Sequence, residues 1–111
     1  MNNFLVKAFR KINAFRFFNF TLRIRTGDKT FKIPIHDNIG YSNLNTSEPW
    51  MIDVLKILLP LGNKSFVDVG INIGQTLLKL RSVSADIKYV GFEPNPHCVN
   101  YVYKLIDKNG F

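Results

Sequence analysis

Two acidic residues, each at the end of a predicted strand, are the groups in this sequence best placed to do chemistry. Asp68 lies in residues 66–76, FVDVGINIGQT, and is followed by Gly70 and Gly74. Glu93 follows the strand-like run KYVGF at residues 88–92. Because ligands of open α/β sheets bind at the carboxyl ends of the strands, we expect the two carboxylates to belong to a single binding site.

The residues around these carboxylates predict a nucleoside cofactor. A carboxylate at the end of the second strand can accept hydrogen bonds from both hydroxyls of a ribose. Gly70 and Gly74 bracket a tight strand-to-helix turn, in which the missing Cβ lets another group approach the backbone. The N-terminus of the helix that follows attracts a carboxylate or a phosphate.

Two classes of cofactor compete for this pattern. A dinucleotide needs G-x-G-x-x-G, but Asn72 occupies the position of the second glycine, and Asp68 places a negative charge close to the pyrophosphate. S-adenosylmethionine fits better, because Asp68 can attract its ammonium, the helix end its carboxylate and Glu93 its ribose. An NAD(P)-binding Rossmann protein remains the alternative within the enzyme class.

The two motifs also carry a family resemblance. FVDVGINIGQT, followed by YVGFEPNPHCVNYV at residues 89–102, resembles the FkbM-type S-adenosylmethionine-dependent methyltransferases, whose motifs read close to FVDVGANIGQ and FEPNP. The likeness covers residues 65–111 and, more loosely, residues 48–51. Ile71 departs from it, since alanine is usual there. The resemblance implies a methionine-side loop and a ribose-binding carboxylate, formed respectively by Asp68, Gly70, Asn72 and Gly74, and by Glu93.

The resemblance further implies O-methylation of a sugar or another small metabolite, so the expected partner is a small-molecule or glycan acceptor. The family fold is a seven-stranded doubly wound sheet, whereas this sequence ends after the second strand-helix unit. We therefore expect a truncated or partial methyltransferase that is inactive by itself. No residue is assigned as the catalytic base. No metal site is predicted, because His97 and Cys98 have no evident third ligand.

The elements expected to position the site alternate between strand and helix. Residues 65–110 read as strand, helix, strand and helix, which predicts an α/β fold: the first half of a Rossmann-like class I methyltransferase parallel sheet. A β-hairpin with its turn at residues 26–29 and an N-terminal helix at 4–15 precede it. We divide the chain into a basic helix and hairpin at 1–47 and a partial cofactor-binding domain at 48–111.

Two further helices have recognisable ends. Ser47 as N-cap and Pro60 as terminator predict a helix through Leu59, with a buried stripe that consists of Met51, Val54, Leu55 and Leu58. Asn95 as N-cap and Pro96 as the first helical residue predict the last helix, with Gly110 after its end.

Composition excludes several classes of protein. The 111 residues are 46% apolar and 21% charged, as in globular rather than disordered chains. No apolar run approaches the roughly 20 residues of a membrane-spanning helix. Cys98 is the single cysteine, which rules out an intrachain disulfide framework. These features favour a cytoplasmic, reducing compartment.

Charge suggests a second, non-enzymatic alternative. The formal net charge is +7, and residues 1–27 contain six bases and no acid. A basic amphipathic segment can contact anionic lipid, so residues 4–16 are a candidate for a weak membrane-surface contact. Aromatic and basic residues also alternate near residue 20, but hairpin packing explains that pattern better than nucleic-acid stacking, and the nucleic-acid signal is weak.

Overall fold

The computed structural model describes residues 19–62 and 65–111. The helix predicted at 4–15 lies outside these residues. The chain forms an α/β fold with four strands and three α-helices in the described part, in the order β1 Phe20–Thr26, β2 Lys29–Ile35, α1 Trp50–Leu58, β3 Ser65–Val69, α2 Gln75–Val83, β4 Lys88–Phe92 and α3 Pro96–Asn109. Short 3₁₀ helices occur at Tyr41–Leu44 and Leu59–Leu61.

The predicted hairpin is confirmed. β1 and β2 pair antiparallel, from Phe20 opposite Ile35 to Thr26 opposite Lys29. Gly27 has a φ of 59° at the turn, a value that glycine adopts without the penalty a side chain would bring. The alternating residues Phe31, Ile33 and Ile35 of β2 are buried, so the period-two pattern identified the core face correctly.

The predicted strand–helix–strand–helix segment is also confirmed. β3 and β4 pair in parallel, with Asp68 opposite Gly91 and Val69 opposite Phe92. α3 begins as expected: the Asn95 side chain accepts a hydrogen bond from the backbone N–H of His97. Gly110 ends this helix in the left-handed conformation, with a φ of 69°.

Helices α2 and α3 lie between the hairpin and the parallel sheet. One core cluster joins β2 to these helices through residues that include Phe31, Ile33, Leu77, Tyr101 and Leu105. A second cluster joins Leu80 of α2 to α1 and the sheet, and is completed by Leu55, Ile87, Phe66 and Tyr89. Because α2 packs on both sides, Leu77 through Leu80 are all buried.

The prediction for α1 was partly wrong. The helix starts at Trp50 rather than directly after Ser47, and no side chain caps its first turn. Ile52 and Leu55 are its buried residues, whereas Val54 and Leu58 of the predicted stripe are exposed. The stripe was misassigned because α1 contacts the rest of the described chain mainly through α2, which covers only a narrow face.

Candidate functional site

The two predicted carboxylates lie at the same edge of the parallel sheet. Asp68 is the penultimate residue of β3, and Glu93 follows the last residue of β4. The loop 70–74 leaves β3 at this edge and enters α2. The parallel pairing of neighbouring strands therefore brings both acidic strand ends together, as the sequence predicted.

The loop is fastened to the end of β4 by main-chain hydrogen bonds. The backbone N–H groups of Gly70 and Ile71 both donate to the carbonyl of Phe92, at 2.8 and 3.2 Å. The N–H of Asn72 donates to Glu93 Oε2 at 2.8 Å, and the N–H of Asn95 donates to Glu93 Oε1 at 2.9 Å. Glu93 thus holds the loop after β3 and the turn into α3 in one arrangement.

Glu93 retains hydrogen-bonding capacity after these contacts. An ionised carboxylate offers about four lone-pair positions, and the two backbone N–H groups use one on each oxygen. With the bonds made by the described residues counted, one acceptor position per oxygen remains for a ligand with two neighbouring hydroxyls. The sequence pointed to a ribose ligand for Glu93 but could not reveal its structural role, which depends on how the loop folds back.

Asp68 lies on the helix-facing side of the sheet and is oriented by a residue that the sequence analysis did not single out. The hydroxyl of Tyr89 donates to Asp68 Oδ2 at 2.7 Å. Burial, reinforced by this hydrogen bond, raises the pKa of Tyr89 above its ordinary value, so the hydroxyl stays protonated and donating. Within residues 19–62 and 65–111, Asp68 Oδ1 has no hydrogen-bond or ion-pair partner.

The two glycines of the motif serve different purposes. Both have positive φ, 86° at Gly70 and 79° at Gly74. A Cβ on Gly70 would meet no atom of residues 19–62 and 65–111 within 4 Å, so this part of the chain leaves the space beside Gly70 open. A Cβ on Gly74 would lie 2.9 Å from Leu105 Cδ2, so this glycine permits close packing of α2 on α3. The open backbone face is therefore at Gly70.

The N-terminus of α2 faces the same loop. Gly74 occupies the N-cap position and offers no side chain to cap the helix. The first N–H groups of a helix have no partner within the helix itself, and they carry its positive dipole end. An anionic group that entered beside Gly70 would meet these donors.

An apolar groove of about 400 Å³ extends from Glu93 along β4 and α3. Its lining comprises Ile71, Tyr89, Gly91, Phe92, Glu93, Val99, Val102, Tyr103 and Ile106. Ile71, the departure from the family motif, lies over Gly91, where a Cβ would collide with its side chain. The larger residue in the loop is thus accommodated by a glycine in the neighbouring strand.

Asn72 and its neighbours contribute geometry rather than new chemistry. Asn72 has a φ of 50°, which asparagine tolerates better than most residues. The Cys98 thiol lies 3.6 Å from Asn72 Oδ1.

No group of three or more His, Cys, Asp or Glu residues in the described ranges could hold a metal ion. Searched over those ranges, the structure contains no helix long and apolar enough to cross a membrane.

Comparisons with protein-family models, curated proteins and solved structures found no match to this chain.

Proposed function

We propose that the loop 70–74 and Glu93 bind S-adenosylmethionine, and that the chain belongs to a methyltransferase of the Rossmann-like class. The observation that carries the proposal is the joint position of a carboxylate with free acceptor sites, an open glycine backbone and an uncapped helix N-terminus at one sheet edge. These three features match the ribose, the ligand's approach to the backbone and the methionine carboxylate respectively.

The residues fit this cofactor better than a dinucleotide. Asp68 Oδ1, which has no partner among the described residues, favours a cation, and the ammonium of the methionine part supplies one, directly or through water. The same carboxylate would repel a pyrophosphate. The apolar groove beside Glu93 offers a surface for the adenine ring. When bound, the cofactor supplies an activated methyl group, and the acceptor in this proposal is a hydroxyl of a sugar or another small metabolite.

The proposal assigns cofactor binding to the described residues and no catalytic step. Methyl transfer requires the acceptor oxygen to be held in line with the donor methyl, and this positioning carries much of the rate. Asp68 and Glu93 are both assigned to the cofactor. We therefore expect no turnover from the 111-residue chain alone.

A ligand comparison followed by NMR tests the proposal. The ¹⁵N-labelled chain is titrated with S-adenosylhomocysteine and separately with NAD⁺, up to millimolar concentration. We expect S-adenosylhomocysteine to shift the amide signals of Gly70, Asn72 and Gly74, and NAD⁺ to shift them less at equal concentration. Equal shifts with both ligands, or shifts confined to residues far from this loop, would contradict the proposal.

A further inference from the structure

A buried side-chain amide holds the loop 70–74 from the side of the hairpin. Asn43 lies in the short 3₁₀ helix Tyr41–Leu44, which follows the hairpin, and is 2% exposed. Its Nδ2 donates to the backbone carbonyl of Ile73 at 2.7 Å. A carbonyl oxygen can only accept, so the amide must present its nitrogen to Ile73. One side chain thus joins two segments that are 30 positions apart in the sequence.

This bond completes the fixing of one peptide group. The carbonyl of Ile73 and the N–H of Gly74 belong to the same planar peptide unit. The carbonyl accepts from Asn43, and the N–H donates to the carbonyl of Ile71 at 2.9 Å. The N–H groups in the first turn of α2 follow directly, so the orientation of this peptide group sets the direction in which they point.

The amide is itself held in place by elements outside the loop. Asn43 Nδ2 lies 3.3 Å from the hydroxyl of Tyr101 on α3, which donates to the carbonyl of Pro34 on β2. A second contact joins the 3₁₀ helix to the start of α2, where Gln75 Nε2 donates to the carbonyl of Ser42 at 3.1 Å. The hairpin and α3 therefore determine where the Asn43 amide lies, and the loop follows.

We propose that Asn43 is a positioning residue for the cofactor site, which it serves through the Ile73–Gly74 peptide group. This role rests on the proposed function of the loop 70–74. A loop that already has its binding conformation loses little freedom when a ligand arrives, so the bond from Asn43 raises the affinity. Without that bond the loop populates other conformations, and the apparent affinity falls with the fraction that can bind.

Two variants separate positioning from general stability. Asn43→Ala removes the donor to Ile73, whereas the matched control Tyr101→Phe removes another hydrogen-bonding group of the same buried network and leaves the bond to Ile73 in place. Urea unfolding measures the loss of stability in each chain. Any effect that follows from destabilisation alone should appear in both variants, and an effect on the loop only in Asn43→Ala.

The first readout needs no ligand. Hydrogen exchange of the Gly74 amide reports the opening of the peptide group that Asn43 holds. We expect this amide to exchange about tenfold faster in Asn43→Ala than in Tyr101→Phe after correction for the measured stabilities, a factor that corresponds to the loss of one hydrogen bond. If Asn43→Ala does not fold, Gln75→Ala, which breaks the second contact at the surface, should accelerate the same amide.

The second readout is the Kd of S-adenosylhomocysteine, measured by NMR titration. We expect Asn43→Ala to raise this Kd by about tenfold, within the usual range for coupling between separate sites, and Tyr101→Phe to change it by less than about twofold.

Equal corrected exchange of Gly74 in the two variants would overturn the proposal, as would an equal Kd. In the case that Asn43→Ala does not fold, unchanged exchange in Gln75→Ala would do the same. A wild-type chain that does not bind S-adenosylhomocysteine would contradict the proposed function instead, and the exchange of Gly74 would then decide by itself whether Asn43 positions the loop.

Discussion

Gly70 and Gly74 share a left-handed backbone but should respond differently to substitution. Gly70→Ala meets no atom of the described residues, so it should lower the free energy of unfolding only by the cost of the backbone conformation, about 1–2 kcal/mol. Gly74→Ala adds a collision with Leu105 and should cost about 2–4 kcal/mol. Urea denaturation measures both.

The contrast between the two glycines is the informative result. If Gly70→Ala is the more destabilising of the two, the space beside Gly70 is filled rather than open, and a ligand could not approach the backbone there. In the ligand titration, the same Gly70→Ala chain should bind S-adenosylhomocysteine more weakly, because its new methyl group occupies the approach to the loop.

Lys79 is a buried cation whose partner comes from the loop before α1. Its side chain is 4% exposed, and Nζ lies 3.2 Å from Glu48 Oε2. Removal of Glu48 leaves the buried Lys79 charge uncompensated, whereas removal of the Lys79 charge leaves only a carboxylate that is 54% exposed to water. Glu48→Ala should therefore lower the free energy of unfolding by about 1–3 kcal/mol.

Lys79→Met should change the free energy of unfolding by less than about 1 kcal/mol, or should raise it. The matched control is Asp53→Ala, which breaks the exposed pair with Lys56 and should change stability by less than about 0.5 kcal/mol. Should Lys79→Met prove as damaging as Glu48→Ala, the charge of Lys79 itself would be contributing to stability, contrary to this account.

Tyr101 connects α3 to the hairpin through a buried hydrogen bond. Its hydroxyl donates to the carbonyl of Pro34 at 2.9 Å and lies 3.3 Å from Asn43 Nδ2. Burial raises the pKa of Tyr101 to about 12, from about 10 in the unfolded chain. The folded state therefore holds this proton more tightly, so its contribution is complete below pH 10 and is lost as the pH rises from about 10 to about 12.

Tyr101→Phe should cost about 1–3 kcal/mol at neutral pH, because the buried carbonyl of Pro34 loses its donor. Its free energy of unfolding should also fall less steeply above pH 10 than that of the wild type, although Tyr89 still contributes in the same direction. Urea unfolding at a series of pH values gives both quantities. If the free energies of unfolding of the two chains fall equally steeply with pH, Tyr101 does not contribute to this pH dependence.

The elements that the sequence predicted best were those with strong local signals. Gly70 and Gly74 mark the turn from β3 to α2, and Asn95, Pro96 and Gly110 mark the two ends of α3; these elements formed where the signals indicated. The exposure of α1 could not be predicted in this way. Apolar residues lie around more of the surface of α1 than its neighbouring elements cover. Periodicity alone does not show which neighbour packs on the helix.

The position of the candidate site was likewise predictable, while its internal contacts were not. A parallel sheet places consecutive strand ends at one edge, so Asp68 and Glu93 could be expected there from topology alone. The bond from Tyr89 to Asp68 needs the strand register, and the bonds from Asn72 and Asn95 to Glu93 need the path of two loops. Such contacts join residues 2 to 21 positions apart and have no sequence period.

At the scale of the whole molecule, the hairpin and two helices pack in one core beside the sheet edge that carries Asp68 and Glu93. We propose that Glu93 at this edge binds the ribose of a nucleoside cofactor. A simple loss of affinity in Glu93→Ala would be ambiguous, because Glu93 also fixes the backbone at Asn72 and Asn95. A cycle that changes the ligand as well as the protein separates the two effects.

The measurement compares S-adenosylhomocysteine with its 2′-deoxyribose analogue, by NMR titration of the wild-type and Glu93→Ala chains. In the wild type, loss of the hydroxyl should weaken binding by about 1.5–3 kcal/mol, the scale of a hydrogen bond to a charged group. In Glu93→Ala the two ligands should bind equally, whatever their absolute affinity. Two results would contradict this proposal. One is a wild-type chain that binds both ligands equally, and the other is a Glu93→Ala chain that prefers the ribose as strongly as the wild type does.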